Sequence, residues 1–391
     1  MTTSSATASA LLDAPAKGEA PAASQIVRVA RDFGVSPLRQ MREMLSLRFS
    51  QARLQGPDYY ANGLYDPALD MARKREFVGI ASNRALNERM SPLALVRSNE
   101  FVTNKVLYTA LLAQLGLPST CTQAVVLGQN RFGALRTLGD AAALKAFLLN
   151  EARYPLFGKP NNGSLSVGSV SVADIDHDRE ELILATGRRV ALADFCDETV
   201  GRHPTGYILQ DALVQDARLS AVAGPATGTI RMVTVIEETT PRPLYAVWKI
   251  PSPRAMSDNF WQTGSMIAAL DVATGQVRRV RTGSGPDSRD IDTHPVSGAC
   301  FDGLTIPHWD ALRALACDAH MVFPEFGIFG FDIAITRDGP VIVECNDNPF
   351  HTLYQLANRQ GVRHAEFDVV FERVAARARG ILARRDAAKT R

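Results

Sequence analysis

The sequence reads as an α+β protein with antiparallel sheets, preceded by a mainly helical N-terminal region. Three observations point there. Apolar residues recur at helical spacing through much of the first third of the chain. From Thr229 onward, strand-like runs follow one another through turn residues. Regular strand–helix alternation, which would build a doubly wound parallel sheet, is missing.

The elements follow in order. Residues 1–25, rich in Ala, Ser, Thr and Pro without a continuous apolar stretch, are expected to form a disordered tail. Residues 26–120 make the helical region. One helix opens near Ser36-Pro37, with Leu38, Met41, Met44, Leu45 and Leu47 at helical spacing. A second is expected over Ala72 to Met90. A third runs from Asn104 to Leu115 and stops at Gly116, with Pro118 beyond. Residues 121–205 form a central subdomain: strands at Ala124–Leu127, Tyr154–Lys159 and Ser164–Val172, and helices at Asp140–Leu149 and Leu192–Val200. Residues 206–380 form a C-terminal subdomain that opens with a strand at Tyr207–Leu213. Strands at Thr229–Ile236, Leu244–Ile250, Met266–Asp271 and Val277–Arg281 follow, then an amphipathic helix at Trp309–Met321. The Arg- and Ala-rich end, residues 381–391, is expected to fray. No repeat of 20–50 residues is visible.

Composition removes several function classes. A net charge of +2 gives no broad field of one sign, so nothing argues for nucleic acid. Five scattered cysteines without a Cys-x-x-Cys spacing argue against zinc and for a reducing compartment, with the cytoplasm as the default. No apolar run is long enough to predict a membrane span. Gly-x-Ser-x-Gly, His-Arg-Asp and His-x-x-x-His motifs are all absent.

The most informative stretch is FGFDIAITRDGPVIVECNDNP, residues 329–349. Two apolar runs around Asp338-Gly339 read as a β-hairpin. A three-residue loop would pair Thr336 with Pro340 and put Asp332 opposite Glu344. A two-residue loop would shift the register by one and separate the carboxylates. Asn346 shares the face of Glu344. Opposed carboxylates roughly 4.5–5.5 Å apart at Cβ repel, and a hard divalent cation such as Mg²⁺ would reverse that penalty. Upstream, Lys159 ends the strand LFGKP before the Gly/Ser-rich loop Gly163-Ser164-Leu165-Ser166-Val167-Gly168, a combination suited to phosphate oxygens. It is not a Walker A sequence. Arg231, in the apolar strand GTIRMVTV, calls for an anion, either a carboxylate of the protein or a polyphosphate. Lys249 reads as a snorkelling surface lysine, and Asp258-Asn259 and Gly283–Gly285 as loops. His294 and His351 read as loop histidines without a role. The strand Tyr207–Asp211 turns polar at its end, where backbone could meet an adenine edge.

A strand lysine, a Gly/Ser loop, a hinge strand, a strand arginine and then Asp…Glu-x-Asn on a hairpin resembles the ATP-grasp superfamily. Within it, the chain is similar to the sugar-transfer-associated ATP-grasp proteins, often labelled α-L-glutamate ligase-related. The echoes are NKVLYTALLAQLGLPST, FGKPNNGSLSVG, GTIRMVTV, SDNFWQTGSMIAALDVATGQV, HPVSG with its following IP-x-W, and the hairpin, together spanning about residues 100–360; DYYANGLYD adds an N-terminal one. The resemblance implies two α+β subdomains clasping ATP. Lys159 would touch the α/β phosphates, with the loop of Gly163, Ser164, Ser166 and Gly168 closing over them. Gln210, with Asp211 and Leu213, would form the adenine hinge. Arg231 would meet the γ-phosphate, and Asp332, Glu344 and Asn346 would hold two Mg²⁺ ions, Mn²⁺ being the alternative. Lys105 matches a position that touches phosphates in some relatives. Gln210 stands where relatives commonly place an acid, and Asp216 is the nearest candidate for the ribose. The implied activity is an ADP-forming ligase that joins a small-molecule carboxylate to an amine through an acyl phosphate, in cell-surface glycan or peptide modification. A phosphotransferase acting on a hydroxyl and a non-catalytic nucleotide-binding module are the alternatives. The sequence does not specify the oligomeric state.

Overall fold

Two seven-stranded sheets, wrapped by helices, form the scaffold. The computed structural model describes residues 9–13, 22–127, 132–161, 166–252, 255–258, 260 and 262–389. The helical region holds α1 (Ala22–Phe33), α2 (Pro37–Arg48), α3 (Gly56–Ala61), α4 (Met71–Lys74), α5 (Ile80–Met90), α6 (Asn99–Thr103) and α7 (Lys105–Gln114). Start signals explain two of these. The Ser36 hydroxyl accepts from the Arg39 amide with Pro37 in the first turn, and Asn104 accepts from the Val106 and Leu107 amides. The helix expected over residues 72–90 is broken: α4 ends at Lys74, and Phe77 and Val78 are buried between it and α5.

Periodicity located α2 but misjudged its faces. Of its spaced apolar residues only Leu47 is buried, beside Gln40 and Glu43, while Leu38, Met41 and Leu45 face outward. Gln40 donates to the carbonyls of Ile26 and Val35 at 3.1 and 2.7 Å and accepts from the Tyr60 hydroxyl at 2.9 Å. Glu43 takes Lys74 at 2.6 Å and the Tyr59 hydroxyl at 2.7 Å.

The central subdomain runs β1 (Thr122–Val126), β2 (Arg136–Leu138), α8 (Ala141–Asn150), β3 (Leu156–Pro160), β4 (Val170–Asp176), β5 (Glu181–Leu184), β6 (Arg189–Ala191), α9 (Leu192–Arg202) and β7 (Tyr207–Asp211). Its sheet order is β2-β1-β7-β3-β4-β5-β6. Tyr207–Asp211 therefore belongs to this sheet, so the division expected at 205/206 falls one strand early. The strand expected from Ser164 starts only at Val170. The expected N-terminal tail is also corrected in part. Ala10 and Leu11 are buried in the central core, Leu12 exchanges backbone hydrogen bonds with Gly168 and Ser169 (2.7 and 3.0 Å), and α1 already begins at Ala22.

After α10 (Ala217–Ala223) the second sheet is wholly antiparallel. It comprises β8 (Thr229–Ile236), β9 (Pro241–Ile250), β10 (Met266–Leu270), β11 (Val277–Thr282), β12 (Arg289–Ile291), then, after α11 (Trp309–Met321), β13 (Ile328–Thr336) and β14 (Gly339–Asn346), in the order β12-β11-β10-β9-β8-β13-β14. α12 (Thr352–Asn358) and α13 (Ala365–Lys389) complete the chain, and α13 carries helix through most of the end expected to fray. Both faces are covered, which is why β8 is buried along its whole length. Ile230 and Met232 pack in one core with Leu312 and Ala316 of α11; Val233 and Val235 pack in the other with Leu86, Tyr354 and Val374.

Candidate functional site

The hairpin of β13 and β14 sets up the site by a route the sequence did not show. Its loop has two residues, Arg337-Asp338, since Thr336 pairs with Gly339 and Ile335 with Pro340. Alone, that register would separate the carboxylates. A β-bulge follows, Ile333 opposing Ile342 while Asp332 opposes Glu344, so Val343 is the extra residue. The two carboxylates end up opposite each other. The Val343 carbonyl receives the Lys159 ammonium from the other sheet at 3.4 Å.

Neighbouring strands bring in the rest. β8 pairs with β13 so that Arg231 stands beside Asp332. The guanidinium forks onto that carboxylate, Nε to Oδ1 at 2.6 Å and Nη2 to Oδ2 at 2.9 Å. Lys249, opposite Thr229 on β9, reaches Asp332 Oδ2 at 3.1 Å and Asp258 Oδ2 at 3.0 Å. The Thr229 hydroxyl donates to Asp258. Lys105, first residue of α7, lies 3.2 Å from Glu344 Oε1 and 3.5 Å from the Asn161 carbonyl. Four cationic side chains and three carboxylates thus converge from both subdomains.

Burial makes these charges matter. It would raise the Asp332 carboxyl, but Arg231 and Lys249 overrule it and hold the group well below the usual carboxylate range. Burial would likewise lower Arg231 and Lys249, and their carboxylates raise them instead. Lys159 is the exception. Burial pulls it down to about 8, only partly offset by Glu344 and worsened by Lys105, and among the described residues it makes no ion pair. A buried ammonium held this way favours an incoming anion.

Beneath the cluster, α5 clamps the turn that follows β14. Asn87 donates to the Asn348 side-chain oxygen at 2.6 Å and to the Pro349 carbonyl at 3.0 Å. A carbonyl can only accept, so Asn87 turns its own oxygen to His351 Nε2 at 2.9 Å, which must carry the proton. His351 Nδ1 then accepts from the Tyr245 hydroxyl at 2.9 Å. His351 is buried structure, not the loop histidine the sequence suggested.

The expected site residues divide as follows. Lys105, Lys159, Arg231, Asp332 and Glu344 are brought together. Asn346 lies opposite Gly330 at the end of the ladder, its amide 3.4 Å from the Gly330 carbonyl. Gly163 and Ser164 fall outside the described residues. Ser166 and Gly168 both take positive φ; a Cβ at Gly168 would meet the His203 ring at 2.6 Å, so only glycine fits. Gln210 is buried and bonded to the Thr120 hydroxyl at 2.8 Å. Asp211 is tied to Arg153 at 2.9 Å and to Gln123 at 2.8 Å, and its amide donates to the Cys121 carbonyl. The Leu213 carbonyl accepts from Thr227 at 2.8 Å. Asp216 caps α10 and pairs with Arg218, which lowers it to about 2.

Sequence reasoning read Lys249 as a surface lysine and Asp258 as loop, and so placed neither in the charged cluster that both join. The alternation of Tyr245, Val247 and Lys249 on one strand face could have flagged the lysine as inward. Asp258 comes from a loop with no local signal. Among the described residues no group of three or more His, Cys, Asp or Glu side chains gathers as a ready-made metal cage, so the oxygen donors expected for a cation are the carboxylates of Asp332 and Glu344 and the neutral amide of Asn346.

No curated protein matches the chain. Similar solved structures include the D-alanine–D-alanine ligase from Coxiella burnetii, 12% identical, covering 80% of this chain and 70% of that one, with a TM-score of 0.45. Another is the L-amino acid ligase from Bacillus licheniformis, 13% identical over 75% of this chain and 48% of that one, with a TM-score of 0.37. This chain thus spans about half the length of that ligase. The ATP-grasp ligase PsnB complexed with minimal precursor is 13% identical, covering 71% and 63%, with a TM-score of 0.37. The family model described as "Sugar-transfer associated ATP-grasp" matches residues 86–369. That span takes in the lysines of both subdomains, the strand arginine and the bulged hairpin, and the chain belongs to the sugar-transfer associated ATP-grasp family.

Proposed function

We propose that the protein is an ATP- and Mg²⁺-dependent ligase that joins a carboxylate to an amine through an acyl phosphate. The observation that carries this reading is the buried Lys159 ammonium, short of an anionic partner, set among three further cations where the two sheets meet. A polyphosphate supplies the missing charge. Lys105 and Lys159 approach it from one side, and Arg231 and Lys249 from the other. Gln210 and Asp211 have committed side chains, so the hinge contacts to adenine fall to peptide groups leaving β7 toward Leu213. Ser166 and Gly168 belong to the loop over the phosphates.

The donors of Asp332, Glu344 and Asn346 are hard oxygens, and Mg²⁺ is commonly held by one or two carboxylates with substrate phosphates completing its shell. The residues fit the ion. When bound, it offsets charge on the transferring phosphoryl group. Everything else is positioning and charge neutralisation by the chain's own side chains. The substrate carboxylate oxygen attacks the γ-phosphorus, the bond to the β-phosphate oxygen breaks, and ADP leaves. The amine then attacks the acyl carbon and phosphate departs. The words "sugar-transfer associated" in the family description support a carboxylate or amine carried on a saccharide, and a peptide carrier is the alternative.

Incubation with carboxylate–amine pairs is expected to release ADP, and hydroxylamine to trap the acyl phosphate as a hydroxamate. Glu344→Gln is expected to abolish Mg²⁺-dependent ATP cleavage without altering the circular-dichroism spectrum. Full turnover in that variant would dismiss the site; ADP without hydroxamate, and a phosphorylated alcohol, would make the enzyme a phosphotransferase.

A further inference from the structure

The outward face of α2 is more apolar than its inward face. Leu38, Met41, Leu45 and Phe49 are 78%, 51%, 53% and 82% exposed, whereas Gln40 and Glu43 are buried. A helix that only covered a core would turn the other way. Its inward polar side chains are fully engaged with Tyr59, Tyr60, Lys74 and the carbonyls of Ile26 and Val35, so α2 is anchored in this orientation. The apolar residues recur three and four positions apart, which at about 100° per residue makes one stripe along the helix.

What flanks the stripe identifies what covers it. The same helical arithmetic puts Arg42 on one side and Arg48 on the other. Both are exposed and make no ion pair among the described residues. The exposed Arg75 joins them by donating to Ser46 at 3.3 Å. The one acid of α2, Glu43, points inward. A second copy laid on this face would bring arginines against arginines with no carboxylate of α2 between them. Lipid phosphates provide the complementary charge, and the acyl boundary takes the apolar side chains.

We infer that the α2 face of Leu38, Met41, Leu45 and Phe49, rimmed by Arg42, Arg48 and Arg75, docks on an anionic bilayer surface. The protein lies on the membrane at this face; no helix among the described residues is long and apolar enough to cross one. Substrates reaching the site would then include carboxylates or amines held at that surface, an extension that rests on the ligase reading, whereas the docking itself does not.

The test is co-sedimentation of the full chain with vesicles of phosphatidylcholine, with and without about one-third phosphatidylglycerol. Binding to the anionic vesicles and little to the neutral ones is expected, with the bound fraction falling as salt rises. Leu45→Ser combined with Phe49→Ser is expected to weaken partitioning about tenfold or more, and Arg42→Glu combined with Arg48→Glu to abolish it. All four side chains are exposed, so the melting temperature is expected to hold. Equal sedimentation with both lipid mixtures, or undiminished binding by the serine pair, overturns the proposal. So does a wild-type dimer in light scattering that becomes monomeric in the serine pair while vesicles stay unbound. Each outcome leaves ADP release as a separate readout.

Discussion

Lys159 and Arg231 call for different experiments although both are buried cations. Arg231 is locked to Asp332 by two short hydrogen bonds. Deleting one partner of such a pair costs about 3–5 kcal/mol, against a total stability of roughly 5–15 kcal/mol. An alanine there would confuse unfolding with lost chemistry. Lys159 has no carboxylate partner among the described residues and bears a desolvation penalty. Lys159→Met is therefore expected to melt no lower than the wild type while binding ATP weakly, a separation that thermal shift and titration calorimetry read together. The pH dependence has a definite sign. Lys159 loses its proton near pH 8 when folded and at 10.5 by its ordinary value. Phosphate bound there would favour the charged form, so ATP affinity is expected to fall as pH rises through about 8, with proton uptake on binding above it. A flat affinity profile from pH 7 to 9.5 would remove Lys159 from the phosphate site.

The N-terminal segment and the hairpin show what local pattern can and cannot reveal. Ser9–Asp13 is held at both ends. Glu198 accepts from the Ala10 amide at 2.8 Å and from the Ser9 hydroxyl, Arg202 meets Asp13 at 2.9 Å, and Leu12 pairs with Gly168 and Ser169, at the end of the loop proposed to cover the phosphates. Leu12→Pro removes the amide that donates to Ser169. Raised KM for ATP with little change in kcat is the expected result, read from initial rates; an unchanged KM would mean the latch does not position the loop. Composition could not announce this docking, because its partners lie more than 150 residues away. Where signals were local, elements were legible: Asn104 and Gly116 bounded α7, Trp309–Met321 emerged as α11, and the alternation in β8 set Arg231 on the face of Thr229 and Val233. The inward side of Lys249 was legible in the alternation of β9, but its partners, Asp258 and the bulge were not, since each depends on another strand or loop.

The whole molecule carries its acid sensitivity in its core. His320 and His351 are buried, hydrogen-bonded and pushed down to about 3 by burial. An unfolded chain protonates them near 6.5, so stability is fully present above that value and drains as pH falls toward 3. Denaturant unfolding between pH 6.5 and 4.5 is expected to show uptake of about two protons, or up to about 1.4 kcal/mol lost per pH unit for each histidine. A stability curve level across that window would show that both rings are already charged in the native state. The larger architecture, two antiparallel-rich subdomains with a helical lead-in, followed from the order of sequence motifs, while the inverted face of α2 followed from packing that periodicity could not weigh.

The bulge at Val343 makes the carboxylate pairing a matter of parity. A two-residue turn and one surplus residue cancel, so a hairpin with a three-residue turn and no surplus would align Asp332 with Glu344 equally well. A single insertion or deletion within β14 ahead of Glu344 sends it to the opposite side of the sheet; a matched pair of such changes leaves it in place. The carbonyl that meets Lys159 belongs to the surplus residue itself, so the bulge that aligns the carboxylates also ties the hairpin to the other sheet.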